Sequence, residues 1–421
     1  MKVTRTGIVI KPDNKRVFLR SFEMNSERIN KIVTRILSLS DRDVKKELKT
    51  IFKDFTGRHR EIKQFYLDRY EQLKKFFANN DQINENRKLL IGTYFTNEYS
   101  VEAAALFNPS IVWAPDQSRL TEGSKSFILS LRAVGEGHIS SIIFTSGIID
   151  ENNIVKLDER SNFVTNPEKI NNNLPGNNDL YEIEYSREIP LSERIIFPHS
   201  PFESNGIEDA RFVEFYDDNG ERTYYATYTA YDGKTIHPQI LETKDFLHFK
   251  ISSLNGREVK NKGMALFPRK INGNYAMLSR QDNENIYLMY SDQLYTWNNK
   301  KLIVEPEYSW EFIQLGNCGS PIETDEGWLV ISHSVGAMRK YTIGAFLLDK
   351  NDPSEVIGRL SKPLLTAGKK EREGYVPNVV YSCGGIVNKG ELIIPYAMSD
   401  YACSFAKVNL QELIVELKSK H

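Results

Sequence analysis

The chain is poor in the features that announce a function outright. Cysteine is scarce: Cys318, Cys383 and Cys403 are the only three in 421 residues. An odd number without paired spacing excludes a disulfide framework and a cysteine-rich zinc site, and fits a reducing cytoplasm. No apolar run approaches the roughly eighteen residues a membrane helix needs. The opening Met-Lys-Val-Thr-Arg-Thr-Gly lacks the apolar core of an export signal, so neither export nor membrane insertion is expected. Charge is balanced as well, with 55 basic and 56 acidic residues and a net charge of −1. No overall field recruits nucleic acid or an anionic membrane, and the expected partners are small or neutral.

Several signatures are also missing. Gly135-Glu136-Gly137 begins like a dinucleotide loop, but Ser140 stands where the third glycine is required and no helical pattern follows. His138, His199, His237 and His333 are isolated, without a His-x-x-x-His or Cys-x-x-Cys pair, so no metal and no cofactor is expected. A Gly-x-Ser-x-Gly elbow is absent, which removes the serine-triad reading.

What is present is a globular composition, 40% apolar and 11% aromatic, enough for one large domain or two ordinary ones. Residues 1–90 read as an N-terminal extension made mainly of amphipathic helices. Apolar residues recur at helical spacing as Ile29, Ile32, Val33, Ile36, Leu37, then Val44, Leu48, Ile51, Phe52, Phe55, then Ile62, Phe65, Tyr66, Leu73. Ser40 and Asp43 form a capping-box pattern for the second helix. Such stripes face either their own core or a neighbour, so the extension is also a candidate for homo-oligomer formation.

Beyond residue 90 the period changes. Short β-rich runs, among them Phe127–Arg132, Thr223–Ala230, Trp328–His333 and Leu392–Ala397, alternate with Gly, Asn, Asp and Pro, and no long helix intervenes before Leu410–Leu417. Residues 91–421 therefore read as an all-β domain, a propeller or a pair of sandwiches. The runs 243–249 (Thr-Lys-Asp-Phe-Leu-His-Phe) and 291–297 (Ser-Asp-Gln-Leu-Tyr-Thr-Trp) echo one another at a blade-sized spacing, which favours the propeller.

The most informative segment is Gly-Ile-Glu-Asp-Ala-Arg-Phe, residues 206–212, at the head of a strand read as Phe212–Phe215. Two adjacent carboxylates need a nearby cation, and Arg211 is there to supply it. A carboxyl so placed suits general acid catalysis, whereas a solvated turn is the plainer alternative. The surrounding motifs weigh against that alternative. Residues 206–212, 262–280, 319–329, 344–349 and 375–384, in this order, resemble glycoside hydrolase family 130, which comprises β-mannoside phosphorylases and β-mannosidases built on a five-bladed β-propeller.

The resemblance covers most of residues 107–410 and implies the following roles. Asp209 stands at the position of the general acid, with Glu208 beside it as a second catalytic carboxylate and a candidate base along with Glu136, Asp116 and Glu203. Asn108, Arg132, Glu136, His138, Arg211 and Tyr231 are assigned to sugar binding. Lys262, Arg280, His333 and Tyr341 fall where the family's phosphorylases gather phosphate. Where those enzymes carry a further lysine, this chain has Gln314, a neutral donor that weakens an anion cradle. An inverting hydrolase of β-mannosidic bonds in manno-oligosaccharides is therefore the leading expectation. The alternatives are a phosphorylase using inorganic phosphate as co-substrate, and a non-catalytic carbohydrate-binding propeller.

Overall fold

The computed structural model describes residues 1–77, 83–171 and 180–419. The chain divides into two compact units: Asn14–Val101 with Ser161–Thr165, and Met1–Asp13 with Glu102–Arg160 and Asn166–His421.

The smaller unit holds four helices, α1 (Ser26–Leu37), α2 (Asp41–Phe55), α3 (Ile62–Leu73) and α4 (Glu85–Tyr94). Each start but that of α3 is fixed by a side-chain cap: Asn25, Ser40 and Asn84 accept from the backbone N–H three residues on. The Ser40 hydroxyl also donates to Asp43 Oδ2 at 2.6 Å, so the acid of the expected capping box returns to the hydroxyl and not to the backbone. Ile29, Val33, Ile36, Val44, Leu48, Tyr66 and Leu73 bury together in this unit's own core, so the amphipathic stripes are satisfied internally. The fourth helix escapes a periodicity search because its buried residues, Leu89 to Gly92, are contiguous. Gly92 allows its close approach to α3, since a Cβ there would lie 2.0 Å from the Tyr66 carbonyl oxygen. The strand Val17–Ser21 pairs with Thr96–Ser100 and closes the helices between them.

The larger unit is almost entirely antiparallel β-structure. Its first sheet is led by Ala105–Trp113, the second by Ile207–Tyr216, the third by Ala265–Leu266, the fourth by Gln314–Asn317 and the fifth by Val380–Tyr381. These leading strands are buried along most of their length and do not alternate between a buried and a solvated face, so both of their faces are covered. Hydrogen bonds link successive sheets. Phe212 N donates to Ser110 Oγ at 2.9 Å, Thr227 Oγ1 to the Met264 carbonyl, Leu315 N to the Glu284 carbonyl at 3.1 Å, and Tyr341 N to the Asn378 carbonyl at 3.2 Å. Cys383 N of the fifth segment then donates to the Pro109 carbonyl of the first at 2.9 Å.

The fifth sheet joins both ends of the chain, because Val3–Arg5 pairs with Ala402–Asn409 in the register Val3↔Val408. Arg5 fastens that edge through a two-point ion pair with Glu371, at 2.8 and 3.0 Å, and Glu371 also accepts from Tyr396. The repeated runs at 243 and 291 occupy equivalent places: each forms the turn between the third and fourth strands of its sheet, with a Thr243 or Ser291 hydroxyl accepting a backbone N–H of the turn. A terminal helix, α5 (Leu410–Lys418), follows the last strand. No helix among the described residues is long and apolar enough to cross a membrane.

Candidate functional site

The site begins with two matching defects in the sheets. In the first sheet Phe107 pairs with Arg132 and Ser110 with Ser130, so Asn108 and Pro109 together face one residue. In the second, Glu208 pairs with Thr229 and Arg211 with Thr227, leaving Asp209 and Ala210 opposite one residue. Each is a bulge that re-aims a side chain. Asn108 and Asp209 both adopt left-handed backbone, φ 50° and φ 55°, a conformation that Asn and Asp tolerate better than most residues. The two bulges meet: Asn108 Nδ2 donates to Asp209 Oδ1 at 2.6 Å.

Arg132 spans both carboxylates, with Nη2 2.8 Å from Glu208 Oε1 and Nη1 3.4 Å from Asp209 Oδ1. Its guanidinium lies over the Phe107 ring at 5.2 Å. Lys262 holds the other oxygen of Glu208 in an ion pair. Burial raises the Asp209 pKa, but the charges of Arg132, Arg211 and Lys262 and the Asn108 hydrogen bond outweigh burial and hold its carboxyl below the ordinary range.

Arg211 does not pair with either carboxylate. It is 1% exposed and donates to the Cys318 carbonyl at 3.0 Å, the Asp209 backbone carbonyl at 3.1 Å and the Tyr381 hydroxyl at 2.7 Å. The cation that satisfies the acid pair is therefore Arg132, while Arg211 fixes the bulge from below. These three bonds tie the backbone of the Asp209 bulge to Cys318 and Tyr381.

The anion candidates form a second layer. Gly316 and Gly263 flank Arg280: a Cβ at Gly316 would lie 2.8 Å from Arg280 Cδ and 2.5 Å from His333 Cε1, and one at Gly263, whose φ is +94°, would lie 2.7 Å from Arg280 Nε. Arg280 is 7% exposed, yet its Nε and Nη1 have no hydrogen-bond partner. His333 is fully buried with both ring nitrogens likewise unpartnered, and its ring lies 4.8 Å from Tyr381 and 6.5 Å from Tyr341. Burial and the neighbouring Arg280 and Arg211 charges push the His333 pKa well down, which favours the neutral imidazole. Buried polar groups are normally satisfied, so the unpartnered atoms of Arg280 and His333 single this layer out.

The remaining expected residues stand outside the buried network. Glu136 and His138 stand exposed on the hairpin that follows Arg132. Tyr231 turns its hydroxyl to the Gly233 carbonyl at 2.9 Å. Of the candidate bases, Glu203 is fully buried and accepts from Tyr181, Tyr228 and the backbone of His199 and Ser200, while Asp116 is an exposed turn residue bonded to the Ser118 N–H.

The sequence gives no warning of Asp400. It sits in a turn where Ser399 and Asp400 both have φ 49°, near enough to Asp209 and Arg132 to feel their charges. Burial, with the Asp209 charge next, pushes its carboxyl up to about 6. Tyr381, the hydroxyl partner of Arg211, was also missed. It lies within the segment 375–384 that resembles the family, but nothing there distinguished it from its neighbours.

With this geometry, the comparisons with known proteins are decisive. A family described as beta-1,4-mannooligosaccharide phosphorylase matches residues 178–419. A 1,2-beta-oligomannan phosphorylase of Thermoanaerobacter sp. (strain X514) is 34% identical over 228 residues, 53% of this chain and 75% of the relative. A beta-1,2-mannobiose phosphorylase of Listeria innocua is 30% identical over 232 residues, 53% of this chain and 63% of the relative. The solved structure of a Listeria innocua beta-1,2-mannobiose phosphorylase in complex with beta-1,2-mannobiose aligns with a TM-score of 0.55 at 20% identity, covering 76% of this chain and 94% of that one, a likeness of fold.

These relatives overturn the expectation of hydrolysis. It rested on Gln314 as a lost cation, a single neutral position that the phosphorylase relatives outweigh. Arg132, Arg211, Lys262 and Arg280 surround Asp209, three of them by direct hydrogen bonding in the network and Arg280 through its charge on His333 and Asp209.

Proposed function

Because the chain belongs to glycoside hydrolase family 130 and is an enzyme acting on β-mannosides, we propose that it is a β-mannoside phosphorylase that cleaves manno-oligosaccharides with inorganic phosphate. The reading that fits its relatives best is a β-1,2 linkage, since a 1,2-oligomannan phosphorylase and a 1,2-mannobiose phosphorylase are both among them. The observation that carries the proposal is Arg280: a buried guanidinium with two unpartnered donors beside a neutral, unpartnered imidazole.

In this reading phosphate enters between Lys262, Arg280, His333 and Tyr341. A phosphate oxygen attacks the anomeric carbon, the bond from that carbon to the glycosidic oxygen breaks with inversion, and Asp209 gives the leaving oxygen its proton, directly or through a sugar hydroxyl. The products are mannose 1-phosphate and a shortened saccharide. Phosphate is itself the nucleophile, so no second carboxylate is needed to activate water, which frees Glu208 to remain locked between Arg132 and Lys262. The same cations that hold Asp209 ionised are partly neutralised when a dianion arrives, so phosphate binding favours the protonated acid. Arg132 and Asn108 orient Asp209, and no cofactor is required.

Five antiparallel sheets in chain order, the hydrogen bonds running from each to the next and back to the first, and a fifth sheet built from both chain ends support a five-bladed propeller as the architecture. Three buried free thiols and a product that conserves bond energy as a sugar phosphate fit a cytoplasmic enzyme.

The test is incubation of the purified protein with β-1,2- and β-1,4-mannobiose, with and without phosphate. Mannose 1-phosphate should form only with phosphate, and the 1,2-linked substrate should be preferred. Asp209→Asn should lower turnover roughly 100- to 10,000-fold. Release of free mannose at an undiminished rate without phosphate refutes the proposal.

A further inference from the structure

Outside the buried network, two hairpins rise from the strands that carry it. One follows Arg132 and turns through Gly137 and His138, at φ 64° and 60°. The other follows His333 and turns through Met338 and Arg339, at φ 58° and 52°. The two are built alike, with Gly135 N bonded to the Ile139 carbonyl at 3.0 Å and Gly336 N to the Lys340 carbonyl at 3.1 Å. Turns of this kind favour Asn and Gly at both left-handed positions. Here three of the four positions carry His, Met and Arg, and Met338 is 96% exposed. These residues are poorly suited to their backbone, which directs attention to what their side chains do.

Tyr375 supplies the second observation. It is 62% exposed, and its ring lies 5.9 Å from the His138 ring, inclined at 36°. It does not wander freely: Val376 N donates to the Ser399 carbonyl at 3.0 Å, and Gly374 packs so closely on Ser399 that a Cβ would lie 2.6 Å from the same oxygen. Ser399 precedes Asp400, whose carboxyl feels Asp209, Arg132 and Arg339. Tyr375 is thus anchored to the turn beside the acid, and His138 to the hairpin beyond the arginine that orients the acid.

We propose that the His138–Tyr375 pair is the platform for the leaving saccharide, binding a neutral pyranose through its C–H face at the outer mouth of the site. The anion pocket is buried and cationic, whereas this pair is exposed and carries no carboxylate or guanidinium, as suits an uncharged sugar that departs to solvent. This inference rests on the phosphorylase reading for its assignment of which sugar departs.

The test uses the full-length protein in both directions and by direct binding. In synthesis from mannose 1-phosphate and mannose or mannobiose, Tyr375→Ala and His138→Ala should raise the acceptor KM about three- to tenfold. KM for mannose 1-phosphate, and for phosphate in the reverse direction, should change less than twofold. Tyr375→Phe, which keeps the ring, should recover most of the lost acceptor affinity. An unchanged acceptor KM, or an equal rise in the phosphate KM, overturns the platform. If the wild-type protein makes no mannose 1-phosphate at all, the phosphorylase reading fails. Calorimetric titration of mannobiose then decides the platform separately: weaker binding by Tyr375→Ala supports it, and equal binding removes it.

Discussion

Asp400→Asn isolates the electrostatic cost of assembling this site. Asp400 has a folded-state pKa of about 6 against an ordinary value of 3.8, because burial and the Asp209 charge both disfavour its ionised form. Two units of displacement at 1.36 kcal/mol each make the ionised carboxylate cost about 3 kcal/mol in the folded protein. The sign follows from which state holds the proton. Below pH 4 Asp400 is protonated both folded and unfolded, and its folded-state preference is fully present. As pH rises from about 4 to 6 the unfolded chain releases the proton and the folded one retains it, so stability falls until both are ionised. Asparagine cannot ionise and escapes the loss. Asp400→Asn should therefore stabilise the larger unit by up to about 3 kcal/mol at pH 7.5, about half that at pH 5, and hardly at all near pH 4. Urea unfolding of both proteins across this range, followed by tryptophan fluorescence, measures the difference. An equal stability difference at pH 5 and pH 7.5 refutes the reasoning, since a packing or hydrogen-bond effect has no such window.

Two further substitutions probe the frame around the site. Gly316→Ala forces a methyl into the space between His333 and Arg280, and overpacking of about 1–3 kcal/mol should appear as a roughly 5- to 150-fold higher phosphate KM, with the mannoside KM little changed, in steady-state assays varying each substrate. Arg5→Met leaves the largely buried Glu371 without its two-point cation, and urea unfolding should report a loss of about 1–3 kcal/mol, greater than for substitution of an exposed pair such as Lys31–Glu27.

The parts legible in the sequence are those written in local chemistry. Helical spacing locates α1, α2 and α3, and the run Thr223–Ala230 falls inside the observed strand Arg222–Tyr231. Glu208 and Asp209 were conspicuous because adjacent acids before an apolar strand are unusual. What stayed hidden depends on partners distant in the chain. Arg211 is two residues from Asp209, and proximity in sequence favoured it as the compensating cation, but side chains alternate across a strand and the bulge redirects it inward. Arg132, 77 positions away, takes that role through the pairing of two sheets. Asp400 had no visible motif, and its significance comes from burial beside another carboxylate. The edge strand Val3–Arg5 carries no signal in three residues; only its distant partner Ala402–Asn409 gives it a place.

That last pairing has a consequence for biogenesis. Val3–Arg5 leaves the ribosome about four hundred residues ahead of its partner Ala402–Asn409. At roughly 5–20 residues per second the early strand waits on the order of 20–80 s with its edge unmatched. Throughout that interval it offers a template to any passing strand. Premature termination before residue 402 would leave Asp209 and most of its neighbours already synthesised, but the last sheet without this edge pairing. Truncated products should therefore fail by misassociation, even though they contain nearly all of the chemistry.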